Sequence, residues 1–227
     1  MQVLDFRMND DLLFAAYGFS NFRENVKKYL EKNKMCYDKF TVTENDSFLG
    51  YLSEYSIKNY IKRKFISNGI IVSSWGDNYD IKKINNIVNN NSNKKEDLLY
   101  VKEYFYDKYD LKIEYNNNYI FLDIKTAETT YEPKDTWNFL YPVIQTKKDG
   151  KDFVVLNYYV KNSKNITDFK KFVLVGYMSE NDVKKYDIQS AGTKTEKGTL
   201  SQIDNLKTYV KDYKKFDNLI YSLLLEK

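Results

Sequence analysis

The stretch from Tyr109 to Thr126, Y-D-L-K-I-E-Y-N-N-N-Y-I-F-L-D-I-K-T, constrains the fold more than any other part of the chain. Leu111, Ile113 and Tyr115 alternate with Lys112 and Glu114, the period of a half-buried strand. Asn116, Asn117 and Asn118 break the run, and Asn tolerates the positive φ of a hairpin turn. Tyr119–Leu122 follows as a nearly continuous apolar run, as in a strand covered on both faces. At its far end stand Asp123, Ile124 and Lys125. Positions i and i+2 of a strand share a face, so Asp123 and Lys125 point the same way. Asp110, at the head of the first strand, can lie beside them. Two acids and a lysine at the rim of a buried sheet make a candidate divalent-cation site.

Composition narrows the chemistry. There is no histidine, which excludes Ser-His-Asp and Cys-His triads, HEXXH zinc sites and zinc fingers. Cys36 is the only cysteine, so no disulfide framework or structural zinc site is expected, and a reducing cytoplasm fits. Catalysis is left to carboxylates, Lys, Tyr, Ser or Thr, and carboxylates suit a hard cation such as Mg²⁺. The 227 residues, 42 % apolar and 17 % aromatic, suffice for one folded domain, with or without an appended lobe. No apolar run of about 18 residues predicts a membrane span, and residues 1–11 lack the pattern of a secretory signal. The net charge of +4 permits nucleic acid as a partner without demanding it. Abundant Asn, Lys, Ile and Tyr also follow from AT-rich coding DNA.

Along the chain, helical spacing runs from Asp10 to Lys34, in two pieces broken near Gly18 and capped by Asp10 or Asp11. Ser47–Phe65 reads as a second helix with Leu49, Leu52, Tyr55, Ile57, Tyr60 and Ile61 inward, and its basic end complements the helix dipole. Gly69–Trp75 reads as a short strand, Asn85–Lys95 as a polar surface loop, and Glu96–Lys108 as a helix. After Lys125 a loop leads to a helix or irregular excursion near Trp137–Tyr141. Phe153–Val160 and Phe172–Met178 are strands, with a helix start at Ser179–Asp182. Gly192–Gly198 is an exposed basic loop, and Asp204–Glu226 is mostly helical. The expected fold class is α/β of the α+β kind: a central mixed sheet flanked by helices. A mainly helical region, 1–95, precedes a core over 96–227, the whole forming one compact domain.

The spacing D/E-x-K is weak alone, for it also stands at Asp80, Asp110, Glu132, Asp168, Asp182 and Asp212. Asp123-x-Lys125 differs by ending the most apolar strand of the central half, where a charged pair is costly unless partnered or functional. Asp110 followed thirteen residues later by Asp123-Ile124-Lys125-Thr126 resembles the PD-(D/E)XK nuclease motif, with Tyr109 in place of Pro. The hairpin ending in D-I-K-T looks like that of type II restriction endonucleases, in particular the blunt-cutting EcoRV and HincII kind. The resemblance covers roughly residues 96–190 by pattern. The N-terminal hundred residues match no named pattern.

The resemblance implies a restriction-endonuclease-like core and Mg²⁺-dependent phosphodiester hydrolysis. Asp110, Asp123 and the Ile124 carbonyl would hold the metal, and Lys125 would serve the attacking water and the phosphate charge. Some relatives add a helix acid, for which Glu96 and Glu103 are candidates. Asp107 is the alternative first acid, and Glu114 joins only if its strand face is the cleft. Thr126, Lys134, Lys194 and Lys197 are candidate DNA contacts on the loops 126–138 and 192–202, with Asn85–Lys95 a third such loop. With three arginines, Arg7, Arg23 and Arg63, guanine reading through Arg is sparse, which tilts the target toward A·T-rich sequence. The implied partners are double-stranded DNA and a second copy of the chain, since a palindromic site calls for a two-fold dimer. The competing readings are a structure-specific or repair nuclease with the same core, and a non-catalytic DNA-binding protein.

Overall fold

The computed structural model describes residues 1–36, 43–147, 149–194 and 200–225. A six-stranded mixed sheet, flanked by helices, forms its centre, with the order β1-β7-β6-β4-β3-β2. These strands are Gln2–Val3 (β1), Ile71–Ser74 (β2), Leu111–Tyr115 (β3), Asn118–Thr129 (β4), Phe153–Lys161 (β6) and Phe169–Ser179 (β7). Only β4 and β6 pair in parallel; every other neighbour is antiparallel. A second sheet of three strands has the order β5-β9-β8, from Asn138–Pro142 (β5), Ile188–Gln189 (β8) and Asn205–Tyr209 (β9).

Strand alternation divides the core. Leu111, Ile113, Leu122, Ile124, Val155 and Tyr159 face the helices Asp10–Lys32 (α1), Glu44–Phe65 (α2) and Phe216–Leu225 (α6). Val154, Leu156, Tyr158 and Val160 face the other way and pack with Tyr141, Leu206 and Val210 near the second sheet. The apolar reading of Phe153–Val160 follows from burial on both faces. The first core joins residues from the N-terminal helices and from the later strands, so both halves of the chain share it.

Several elements depart from expectation. The first helix is continuous, and a Cβ at Gly18 would meet nothing within 4 Å, so that glycine imposes no break. Its cap is Asn9, whose side chain accepts from the Leu12 amide, not Asp10 or Asp11. In α2, Tyr55 is exposed, while Ser53 and Ser56 are buried. Half of the expected loop 85–95 is helical: Ile81–Asn89 (α3) is capped by Asp80 and buries Ile84, Ile87 and Val88 at helical spacing. The asparagines between these positions masked the apolar stripe. Lys95–Phe105 (α4) follows it. Where a helix or irregular excursion was expected near Trp137–Tyr141, Asn138–Pro142 form strand β5, and the expected C-terminal helix is strand β9, a 3₁₀ turn and then α6. The segment Asn205–Tyr209 pairs with both β5 and β8. Glu180–Val183 (α5) starts at Ser179 as read.

Gly176 in β7 is required sterically. Its φ is +154°, and a Cβ there would lie 2.0 Å from the carbonyl oxygen of Lys214. Lys214 pairs with Tyr177 as an antiparallel bridge, with reciprocal backbone bonds of 2.9 Å. Gly176→Ala is expected to cost about 3 kcal/mol, because backbone must move. The check is thermal unfolding, where a loss of roughly 10 °C follows for a chain of this length; an unchanged midpoint would refute the constraint.

Candidate active site

The site lies where β3 parts from β4. Their ladder runs from Tyr115↔Asn118 to Leu111↔Leu122, but β4 continues to Thr129 paired with β6. Asp123 is therefore in the middle of a long strand, not at its end as the sequence suggested. Past Leu122, the edge of β4 that β3 covered is open to another partner. Asp110 supplies it: its backbone N–H donates to the Leu122 carbonyl at 2.8 Å, and its carboxylate accepts from the Ile124 N–H at 2.5 Å. The Ile124 carbonyl leaves on the same side as that N–H, so it shares the edge with Asp110. Trp75 N–H donates to the Asp110 carbonyl and fixes the same corner from β2.

Asp123 and Lys125 share the face of Val154 and Leu156, their partners in β6. Lys125 Nζ donates to Asp123 Oδ1 at 2.8 Å. The other oxygen, Oδ2, accepts from the Tyr141 hydroxyl at 2.9 Å and from Lys151 Nζ at 3.4 Å. Lys151 also donates to Tyr141 Oη at 2.5 Å and to the Gln145 backbone carbonyl at 2.7 Å. Three donors thus act on Asp123, and Oδ1 keeps a lone pair beyond the one Lys125 takes. Burial pushes the Asp123 carboxyl up, but Lys125 and Lys151 outweigh it and bring the group down to about 2. Burial pulls the Lys125 ammonium down, and Asp123 with Asp110 more than restores it. For Lys151 burial dominates, and the ammonium stands below its ordinary value. Asp110 is pushed up, first by burial and then by the Asp123 charge, against the pull of Lys125.

A cavity of 190 Å³ brings Asp110, Asp123, Ile124 and Lys125 together with Glu54, Asp107 and Gln145. Glu54, on α2, lines the cavity as an acid carried by a helix. Burial, then Asp110 and Asp107, hold its carboxyl well above the ordinary range, against Arg23 and Lys58. Glu96 and Glu103 on α4 are exposed and line neither this cavity nor its neighbour. Glu114 is bonded to Lys112 at 2.7 Å and lies outside both cavities. Asp107 lines the cavity beside Asp110, so both readings of the first acid are close in space; only Asp110 bonds to β4.

Of the expected DNA contacts, Thr126 lies in β4 rather than a loop, and its hydroxyl donates to Ser53 Oγ of α2 at 2.6 Å. Lys134 and Lys194 are exposed on the surface, and Lys197 lies outside the described residues. Glu54, Tyr141 and Lys151 join the site without being among the residues the sequence motif picks out. One signal was available: Asp149-Gly150-Lys151 repeats the D-x-K spacing. Nothing local in sequence marks Glu54 or Tyr141, which reach the site only through α2 and the second sheet.

The donor set suits a hard cation. Its ligating atoms are carboxylate and carbonyl oxygens, and the upward push on Asp110 and Glu54 comes in part from like charges that a divalent ion relieves. Among the described residues no three acidic, cysteine or histidine groups close on one point as a metal cage. Mg²⁺ does not need one, since it commonly keeps several waters and takes one or two carboxylates plus substrate phosphate. A scan against protein-family models and a search of the curated proteins find no match to this chain. Among the described residues no helix is long and apolar enough to cross a membrane.

Proposed function

We propose that this chain is a Mg²⁺-dependent nuclease that hydrolyses phosphodiester bonds. In its specific form it is a type II restriction endonuclease, cutting duplex DNA at a palindromic site as a homodimer. The observation that carries this reading is the convergence of Asp110, Asp123 and Lys125 where β3 leaves β4. Asp110, Asp123 and the Ile124 carbonyl would hold a divalent cation, which when bound would neutralise charge at the scissile phosphate and acidify water beside it. Lys125 spends one donor on Asp123 and has two more for the attacking water and the phosphoryl oxygens. Asp110 bonds the Ile124 amide and so fixes the strand edge from which the carbonyl projects. Tyr141 and Lys151 hold Oδ2 of Asp123 from behind, leaving Oδ1 toward the reacting atoms. Lys134 and Lys194, exposed outside the cavity, are proposed phosphate contacts, as is Lys197 from its sequence.

The test is incubation of the purified protein with mixed-sequence duplex DNA, with and without Mg²⁺. Discrete fragments that need Mg²⁺ are the expected result, and Asp110→Ala should abolish them without unfolding the protein. A smear would replace the restriction form by a non-specific nuclease. A gel shift with intact DNA would sink the enzymatic reading.

A further inference from the structure

A second cavity, of 320 Å³, adjoins the first and shares Phe19, Arg23, Tyr51, Glu54, Asp107 and Asp110 with it. Its lining is of another kind: nearly half of it is aromatic, against 17 % of the chain. Phe19 of α1 with Tyr51 and Tyr55 of α2 make one wall, their rings spaced at 5.0 and 6.4 Å. Trp75 and Tyr109, edge to face at 5.0 Å, come from the other side, ahead of α3 and β3. Tyr109 is backed by Phe121, stacked at 4.5 Å. Tyr55 is 42 % exposed, which opens the cavity to solvent. At the polar rim, Lys58 holds Ser74 and Asp77, at 3.1 and 2.7 Å. These groups offer both donors and acceptors.

We infer that this cavity receives one unstacked nucleobase of the nucleic-acid substrate, placing its nucleotide beside the Asp110–Asp123–Lys125 site. The inference rests on the nuclease reading in its general form, not on the restriction form, and narrows the substrate to nucleic acid with an unpaired or readily unstacked base. Size excludes a duplex but suits a single nucleoside-sized group, near the lower bound of small-ligand pockets. Aromatic walls from two elements match a planar heterocycle, and stacking is tolerant of base identity. Extruding a base is cheapest at a mismatch, a nick or a single-stranded end. Asp110 lines both cavities, so a base in the second lies next to the hydrolytic groups of the first.

Trp75 is the reporter, and Trp137→Phe leaves it as the only tryptophan. The probes are an eight-residue oligothymidylate, a matched duplex and the same duplex with one central mismatch, each titrated in Ca²⁺ while cleavage is followed separately in Mg²⁺. The expected result is saturable quenching of Trp75 by the single strand and the mismatched duplex, with binding at least about fivefold tighter than to the matched duplex. Tyr55→Ala, at an exposed position, should weaken single-strand binding roughly tenfold, and Tyr109→Leu should do the same from the opposite wall. Mg²⁺-dependent cutting with unchanged Trp75 emission and wild-type binding by both variants would overturn the base pocket and leave the nuclease reading standing. Quenching that both variants weaken, without any cleavage, would keep the pocket and remove the nuclease reading. Absence of both binding and cleavage would remove both.

Discussion

Lys151→Met is expected to lower the stability of the protein by about 3 kcal/mol. The Lys151 side chain is 1 % exposed and donates to Asp123, Tyr141 and the Gln145 carbonyl. Methionine matches its length and apolar stem but removes the charge and three donors. Breaking a buried ion pair costs roughly 3–5 kcal/mol, because the surviving charge stays desolvated. The lower end applies, since Asp123 keeps Lys125 at 2.8 Å. Thermal unfolding should fall by about 6–12 °C. Tyr141→Phe removes a single hydroxyl from the same oxygen and should cost less, about 1–2 kcal/mol. The effect should hardly respond to salt, because buried pairs are poorly screened. A Lys151→Met protein as stable as wild type, or a Tyr141→Phe protein less stable than Lys151→Met, would show that the buried cation is not what holds Asp123.

The hairpin was legible because its period and its turn residues act locally. Asn116 and Asn117 both take positive φ, as the turn chemistry demands. Asp123 and Lys125 were legible for the same reason, since strand parity alone puts them on one face. The strand ends were not. β4 runs on to Thr129 because β6 pairs with it in parallel over Leu122–Thr129, a neighbour about thirty residues away that no local pattern announces. Period also failed where polar residues filled the solvent face, as with the asparagines of α3, and in β9, where Asn205, Lys207 and Thr208 leave too few apolar residues to show a strand period. The rest of the site depends on long-range packing. Glu54 reaches Asp110 because Ser53, its neighbour, is drawn onto the sheet by Thr126 and Asn157, at 2.6 and 2.9 Å. Tyr141 reaches Asp123 because β5 belongs to a second sheet lying over β6. A residue that enters a site through such contacts has no signature in its own neighbourhood.

Lys125→Ala should show the opposite profile to Lys151→Met. If the chain is the nuclease proposed, the variant's cleavage rate falls about 10³-fold, the scale on which positioned proton-transfer and charge-stabilising groups act. DNA affinity in Ca²⁺ should stay within about tenfold of wild type, because one lysine among the several proposed basic contacts would contribute modestly to binding. Stability should drop by about 1–2 kcal/mol at most, since the Lys125 side chain is 21 % exposed and Tyr141 and Lys151 still hold Asp123. Lys125→Arg should not restore activity, because a planar guanidinium cannot occupy the compact position of an ammonium within 2.8 Å of Oδ1. The two lysines touch opposite oxygens of one carboxylate, so their chemistry toward Asp123 is alike and their surroundings alone differ. Lys125 opens on the cavity that Glu54, Asp110 and Asp123 line; Lys151 is enclosed beneath Tyr141. If Lys125→Ala loses stability as Lys151→Met does while cleaving at the wild-type rate, both lysines are structural counterions and hydrolysis must be sought at another group.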